Sequence, residues 1–146
     1  MSDEKHTYET TVAFSGEKIG ELTSEGLPNI EVASPPEFQG AEGVWTPEHL
    51  FVASANVCLA TTFAAIAKFS KLEYESYEAE ATGTLERRDG KFEITKIEIR
   101  PTVVVTKERR KQRAERIVEK AEQACLVTRS MKTTVTAKPT IIVNES

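Results

Sequence analysis

Apolar and polar positions alternate from Thr7 to Phe14, with Tyr8, Thr10, Val12 and Phe14 on one side. Period two over this length predicts a half-buried strand. Ser15-Gly16 is a turn signal, Lys18 to Leu22 predicts a returning strand, and Asn29 to Val32 predicts a third, stopped by Ser34-Pro35-Pro36. Residues 35–45 hold Pro35, Pro36, Gly40 and Gly43 and predict a mobile loop. Thr46-Pro47-Glu48 then predicts a helix start. Thr46 can cap, Pro47 suits the first helical position, and Glu48 complements the positive end of the helix dipole. This helix is expected to run to about Phe69. Its apolar residues occupy nearly every side of the cylinder, the pattern of a helix enclosed all round.

Two long strands are expected next. Tyr77, Ala79, Ala81, Gly83 and Leu85 share one face, and Asp89-Gly90 is a hairpin signal. The return strand carries Phe92 and Ile94, then Ile97 and Ile99, and this slip of one position predicts a bulge. Lys107 to Gln123 predicts a second helix with Ala114, Ile117, Val118 and Ala121 on its buried face, and Thr133 to Val143 predicts a closing strand. The order βββ–α–ββ–α–β groups strands instead of alternating them with helices. It predicts an α+β fold, a mainly antiparallel sheet packed on helices, as one domain over residues 1–146.

Composition narrows the function. The 146 residues carry a formal net charge of −4. This argues against nucleic acid or anionic lipid as a partner. Six basic residues crowd Lys107 to Arg116, but no aromatic residues are interleaved to stack bases, so a solvated helix face is expected there. Leu50 to Ala67 has no charge over eighteen residues. A span needs ~20 predominantly apolar residues, and Ser54, Asn56, Thr61 and Thr62 dilute this one, so a buried helix and no membrane partner are expected. The charged start Met-Ser-Asp-Glu-Lys-His has no apolar signal region, and a cytoplasmic location is expected.

Two cysteines, Cys58 and Cys125, are too few for a disulfide scaffold. They are open to being small buried hydrophobes or a redox pair in which one thiolate attacks and the other resolves the oxidised product. No ligand spacing around His6 or His49 resembles a zinc motif, so no metal is expected. No G-x-S-x-G elbow, G-x-G-x-x-G or P-loop occurs, and His49 lies more than two helical turns from Cys58. Glu48 is open to a bland role as a first-turn helix charge. It stands ten residues before Cys58, about 15 Å along a helix axis. Trp45, Phe51, Phe63 and Phe69 are candidates for an apolar pocket or for core.

Thr46-Pro47-Glu48-His49-Leu50-Phe51-Val52-Ala53, followed by Cys58, resembles the Pro-Glu-x-Leu…Ala-x-x-Cys segment of the OsmC/Ohr family, the osmotically inducible and organic hydroperoxide resistance proteins. Ala121-Glu122-Gln123-Ala124-Cys125, with Val127, Thr128 and Ser130 after it, resembles that family's second cysteine box. The resemblance implies an OsmC-like intertwined homodimer with two long central helices and sites at the subunit interface. It implies a peroxidase in which Cys58 reduces an organic hydroperoxide and becomes a sulfenic acid, Cys125 resolves it as a disulfide, a dithiol, often lipoyl-type, restores the pair, and Glu48 is the site carboxylate. No separate cofactor is implied. The sequence departs from the family at two points. No arginine precedes Arg87, where the family's peroxidases use an N-terminal arginine held by the glutamate, which leaves Lys18 as the substitute cation. Leu126 also follows the second cysteine where many relatives have proline. The first departure supports an alternative, an OsmC-like binding or scaffold protein without efficient peroxidase activity.

Overall fold

The computed structural model describes residues 4–145, in two compact units, one ending at Leu50 and the other beginning at Phe51. The first unit holds an antiparallel sheet of β1 (Thr11–Ala13), β2 (Gly20–Thr23) and β3 (Ile30–Val32), in that order. β1 is shorter than the alternation over residues 7–14 predicts, and all three of its residues are exposed. Tyr8, Val12 and Phe14 are each at least half exposed. Residues 33–45 are closed at the base, where the amide of Ala33 donates to Trp45 O and that of Trp45 to Glu31 O. Gly40 is required there, since a Cβ at that position would lie 1.6 Å from the Ser34 carbonyl oxygen.

Helix α1 (Pro47–Phe69) starts as its sequence predicts: the Thr46 hydroxyl accepts the His49 N–H at 3.0 Å, an N-cap of the first turn. The enclosure predicted for α1 is not found within one chain. Its buried residues are Ala55, Leu59, Phe63 and Ala67, a single stripe at four-residue spacing, while Val57 is 59% and Phe69 90% exposed. α1 is long and apolar enough to cross a membrane, with mean hydropathy 1.9, but its buried stripe belongs to the core of the second unit.

That core is built on a hairpin. β4 (Ser76–Arg88) and β5 (Lys91–Val105) pair along their length. Asp89 and Gly90 both have positive φ, 53° and 79°, the conformation of a type I′ turn. The predicted bulge is present: Thr84 pairs Lys96 but Leu85 pairs Ile94, leaving Thr95 as the extra residue, its hydroxyl bonded to the Glu86 carboxylate. Gly83 lets α1 approach the hairpin, because a Cβ there would sit 2.5 Å from the Val52 side chain.

The single closing strand predicted over residues 133–143 is two, β6 (Thr134–Ala137) and β7 (Thr140–Val143), both parallel to β5, so the larger sheet is mixed. Pro139 lies in the gap and has no N–H to continue the ladder. On β5, Ile99 and Val105 accept from Lys138 and Asn144 on this side. By strand periodicity Pro101 faces the same side, so its missing donor falls at the break, where no partner strand needs it.

Lys107 to Gln123 is a 3₁₀ turn (Glu108–Arg110) followed by α2 (Lys111–Ala124), which buries Ala114, Ile117, Val118 and Ala121 as the periodicity predicts. Most of the basic run faces solvent. Arg113 instead donates to the Ser70 carbonyl at 2.5 Å just past the end of α1, placing a cation at the negative end of that helix. A last short helix, α3 (Leu126–Arg129), follows α2 after one extended residue.

Candidate functional site

That extended residue is Cys125. Its φ and ψ of −65° and 111° end α2 and begin α3. Its carbonyl accepts from the Arg129 amide and the Thr128 hydroxyl, both at 3.1 Å, which fixes the break. The break leaves the Leu126 and Val127 amides in the first turn of α3 without intrahelical carbonyl partners. Cys58 sits midway along α1, next to the buried stripe and itself half-buried, whereas Cys125 is fully buried.

The fold brings these two free thiols, 67 positions apart in sequence, close enough for each to shift the other's ionisation. Burial by itself would raise the Cys58 thiol. It is outweighed by the Cys125 thiol, the Val127 N–H, the Thr62 hydroxyl and the Leu126 N–H, which together hold Cys58 below the ordinary thiol range. The Thr62 contact is 3.9 Å from oxygen to sulfur. Cys125 moves the opposite way: burial, then the neighbouring Cys58 sulfur, push it up against the opposing pull of Thr128. The pair is therefore asymmetric, with the accessible thiol easier to ionise and the buried one harder. A thiolate is the nucleophilic form of cysteine.

Around Cys125, Leu59, Ile99, Glu122, Thr128 and Val135 leave a cavity of only about 10 Å³. This is at the lower limit for one water molecule. Reagents therefore meet the pair from the Cys58 side.

Glu48 is the second residue of α1, ten residues before Cys58, and its Oε1 is buried with no hydrogen-bond partner among the described residues. Lys18 is exposed between β1 and β2. The four aromatic residues considered for a pocket separate: Phe63 is core, Phe51 is half-buried, and Trp45 and Phe69 are exposed. Sequence reasoning sought a cation for Cys58 and missed its neutral donors. Thr62, four residues on and so on the same helical face, was legible. The amides of Leu126 and Val127 carry no side-chain signal and depend on the helix break at Cys125.

The asymmetry predicts the order of alkylation. Iodoacetamide is expected to label Cys58 with a rate that rises with pH and reaches half its maximum below the ordinary thiol range, with Cys125 labelled later and only at higher pH. Cys125→Ala removes the S–H donor and is expected to move the Cys58 midpoint upward. Mass spectrometry of timed samples reads both effects, and an unshifted or raised Cys58 midpoint in the unsubstituted protein contradicts the prediction.

Comparison with known proteins places the chain in a family. Residues 40–140 match the family model described as OsmC-like protein. The uncharacterized protein YmaD of Bacillus subtilis is 28% identical over 117 residues, covering 78% of this chain and 77% of that protein. Among solved structures, an OsmC-like protein of unknown function from Vibrio cholerae superposes with a TM-score of 0.85 at 23% identity, over 93% of this chain and 100% of that one. An organic hydroperoxide resistance protein from Elizabethkingia anophelis gives 0.75 at 22%, over 98% and 100%. The organic hydroperoxide resistance protein OhrB of Bacillus subtilis gives 0.65 at 24%, over 93% and 98%.

Proposed function

The chain belongs to the OsmC-like family, and from that premise we propose that it is a cytoplasmic thiol-dependent peroxidase that reduces organic hydroperoxides. One observation carries the reading: a half-exposed thiol held below its ordinary range, set against a buried second thiol. The Cys58 thiolate attacks the terminal oxygen of ROOH, the O–O bond breaks, and the alcohol ROH leaves with a proton. Cys58 is then a sulfenic acid. Cys125 attacks its sulfur, hydroxide leaves and is protonated to water, and a Cys58–Cys125 disulfide forms. A dithiol returns the pair to thiols, so the sum is ROOH plus a dithiol giving ROH, water and a disulfide. Glu48 is the site carboxylate, its free Oε1 supplying a hydrogen-bond acceptor.

The working form in this reading is a homodimer over the whole chain as one domain. A second copy would cover the exposed apolar side of α1 and of the first sheet, where Val57, Phe69, Val12 and Phe14 face solvent. A lipoyl-type dithiol is the reductant class proposed.

The test is consumption of cumene hydroperoxide with dithiothreitol. One equivalent of cumyl alcohol per equivalent of dithiol oxidised is expected. With the dithiol left out, Cys125→Ser is expected to consume one equivalent of hydroperoxide and stop at a Cys58 sulfenic acid that dimedone traps. No consumption by the unsubstituted protein overturns the reading. The absence of any arginine before Arg87 favours the alternative, an OsmC-like binding protein. That protein would show a Cys58 midpoint at or above an ordinary thiol in the alkylation series.

A further inference from the structure

The larger sheet has a second face that the thiol chemistry does not use. On β5, Ile97 and Ile99 are buried in the core, so Lys96, Glu98 and Arg100 project from the opposite face. The register sets β4, β5 and β6 side by side there. Thr84, Lys96 and Thr134 form one row across the three strands, and Thr82, Glu98 and Thr136 form the next. These rows line a cavity of about 260 Å³, with Arg100 at its end. That is the share of liquid volume held by roughly nine water molecules at ~30 Å³ each, room for a small molecule. Cys125 lies behind the other face, against Ile99 and Val135.

The polar groups of the cavity divide into engaged and free. Both oxygens of Glu98 are engaged: Oε2 accepts from Arg100 at 3.2 Å, and Oε1 pairs with Lys138 at 3.1 Å. Lys138, then Arg100, hold this carboxyl below the usual carboxylate range. Arg100 also donates to the Thr82 hydroxyl at 2.9 Å. The side chains of Thr84, Lys96, Thr134 and Thr136 have no partner among the described residues. A hydroxyl can donate, and an ammonium can only donate. The cavity therefore presents unused donors, and its one carboxylate is already matched by two cations, leaving the Lys96 charge unbalanced. Glu80 stands opposite Arg100 in the register, so an anion is favoured at the other end, in the Lys96 row.

We propose that this cavity binds the phosphate group of a small molecule, with the Lys96 ammonium and the Thr84 and Thr134 hydroxyls donating to its oxygens. Lysine meets phosphate as a point charge, and the two hydroxyls, one from each neighbouring strand, supply directed donors on either side of it. A phosphate monoester offers three acceptor oxygens and a charge of about −1.5 to −2, which suits this donor set better than the two oxygens and single charge of a carboxylate. Thr82, Glu98, Arg100 and Thr136 then face the remainder of the molecule with groups that both donate and accept. The site is separate from the proposed peroxidase chemistry and does not depend on it.

The test is titration of the isotope-labelled protein with glycerol phosphate, inorganic phosphate and acetate at fixed ionic strength, read by amide chemical shifts. Saturable shifts at Thr84, Lys96 and Thr134 are expected with glycerol phosphate, with Kd about 1 mM or tighter. Lys96→Ala is expected to weaken binding by roughly 10-fold or more, the effect of losing a hydrogen bond to a charged group. Thr134→Val keeps the branched shape and is expected to weaken it by roughly 3-fold. Lys91→Ala removes the same charge at the hairpin end of β5, outside the cavity, and is expected to leave binding unchanged. Glycerol phosphate binding more tightly than inorganic phosphate assigns the site to a phosphorylated molecule, and equal affinities assign it to the free ion; either upholds the phosphate site. No saturation below about 10 mM with either phosphate, shifts centred elsewhere, acetate binding as tightly, or equal loss in Lys91→Ala and Lys96→Ala overturns it.

Discussion

Cys58→Ser is expected to abolish hydroperoxide turnover, by at least ~10³-fold in kcat/KM. The substitution changes one atom at a half-buried position on α1, so the fold is expected to persist. The donors that favour a thiolate there, Cys125, Thr62 and the amides of Val127 and Leu126, act on a sulfur whose ordinary titration lies near physiological pH. A serine hydroxyl titrates far above it, and the same donors leave it neutral. Serine also cannot form a sulfenic acid, so no product exists for Cys125 to resolve. The measurement is initial rate against cumene hydroperoxide with dithiothreitol in excess, alongside a thermal melt. Turnover within a factor of ten of the unsubstituted protein, at matched melting temperature, would remove Cys58 from the chemistry.

Phe63→Ala is expected to produce the largest loss of stability, about 3–5 kcal/mol. Phe63 is fully buried in the stripe that ties α1 to the β4–β5 hairpin, and both Tyr74 and Tyr77 pack against its ring. Alanine would remove the apolar surface, leave a cavity, and strip two aromatic contacts at once. Domains of ordinary stability hold ~5–15 kcal/mol in total, so a substantial share of the fold's margin rests on this one side chain. Urea titration followed by circular dichroism reads the change, and a loss below about 1 kcal/mol would mean that the core repacks around the gap. Phe69→Ala, on the same helix but 90% exposed, is the contrasting case within a single chain.

Elements with strong local signals were legible without coordinates. Thr46 caps α1, Asp89-Gly90 turns the hairpin, and the slip between Ile94 and Ile97 appears as the bulge at Thr95. Each is a contact between near neighbours in sequence, so residue type and spacing carry it. The closing strand looks continuous in the sequence because its alternation hides the gap at Lys138-Pro139, and the gap becomes a break only beside Pro101 on β5. The enclosed look of α1 was true to its composition and not to one chain, since hydrophobicity states that a face needs cover without stating what supplies it.

The order of elements as far as α2, the two cysteines and the family resemblance were determined by the sequence alone, because periodicity, caps and turns act over a few residues. Tertiary structure decided that Cys58 and Cys125 come close enough to shift one another's ionisation, that one is half-exposed and the other sealed, and that neutral donors act on the first. Those properties come from backbone amides and burial supplied by segments distant in the chain, and sequence spacing records neither.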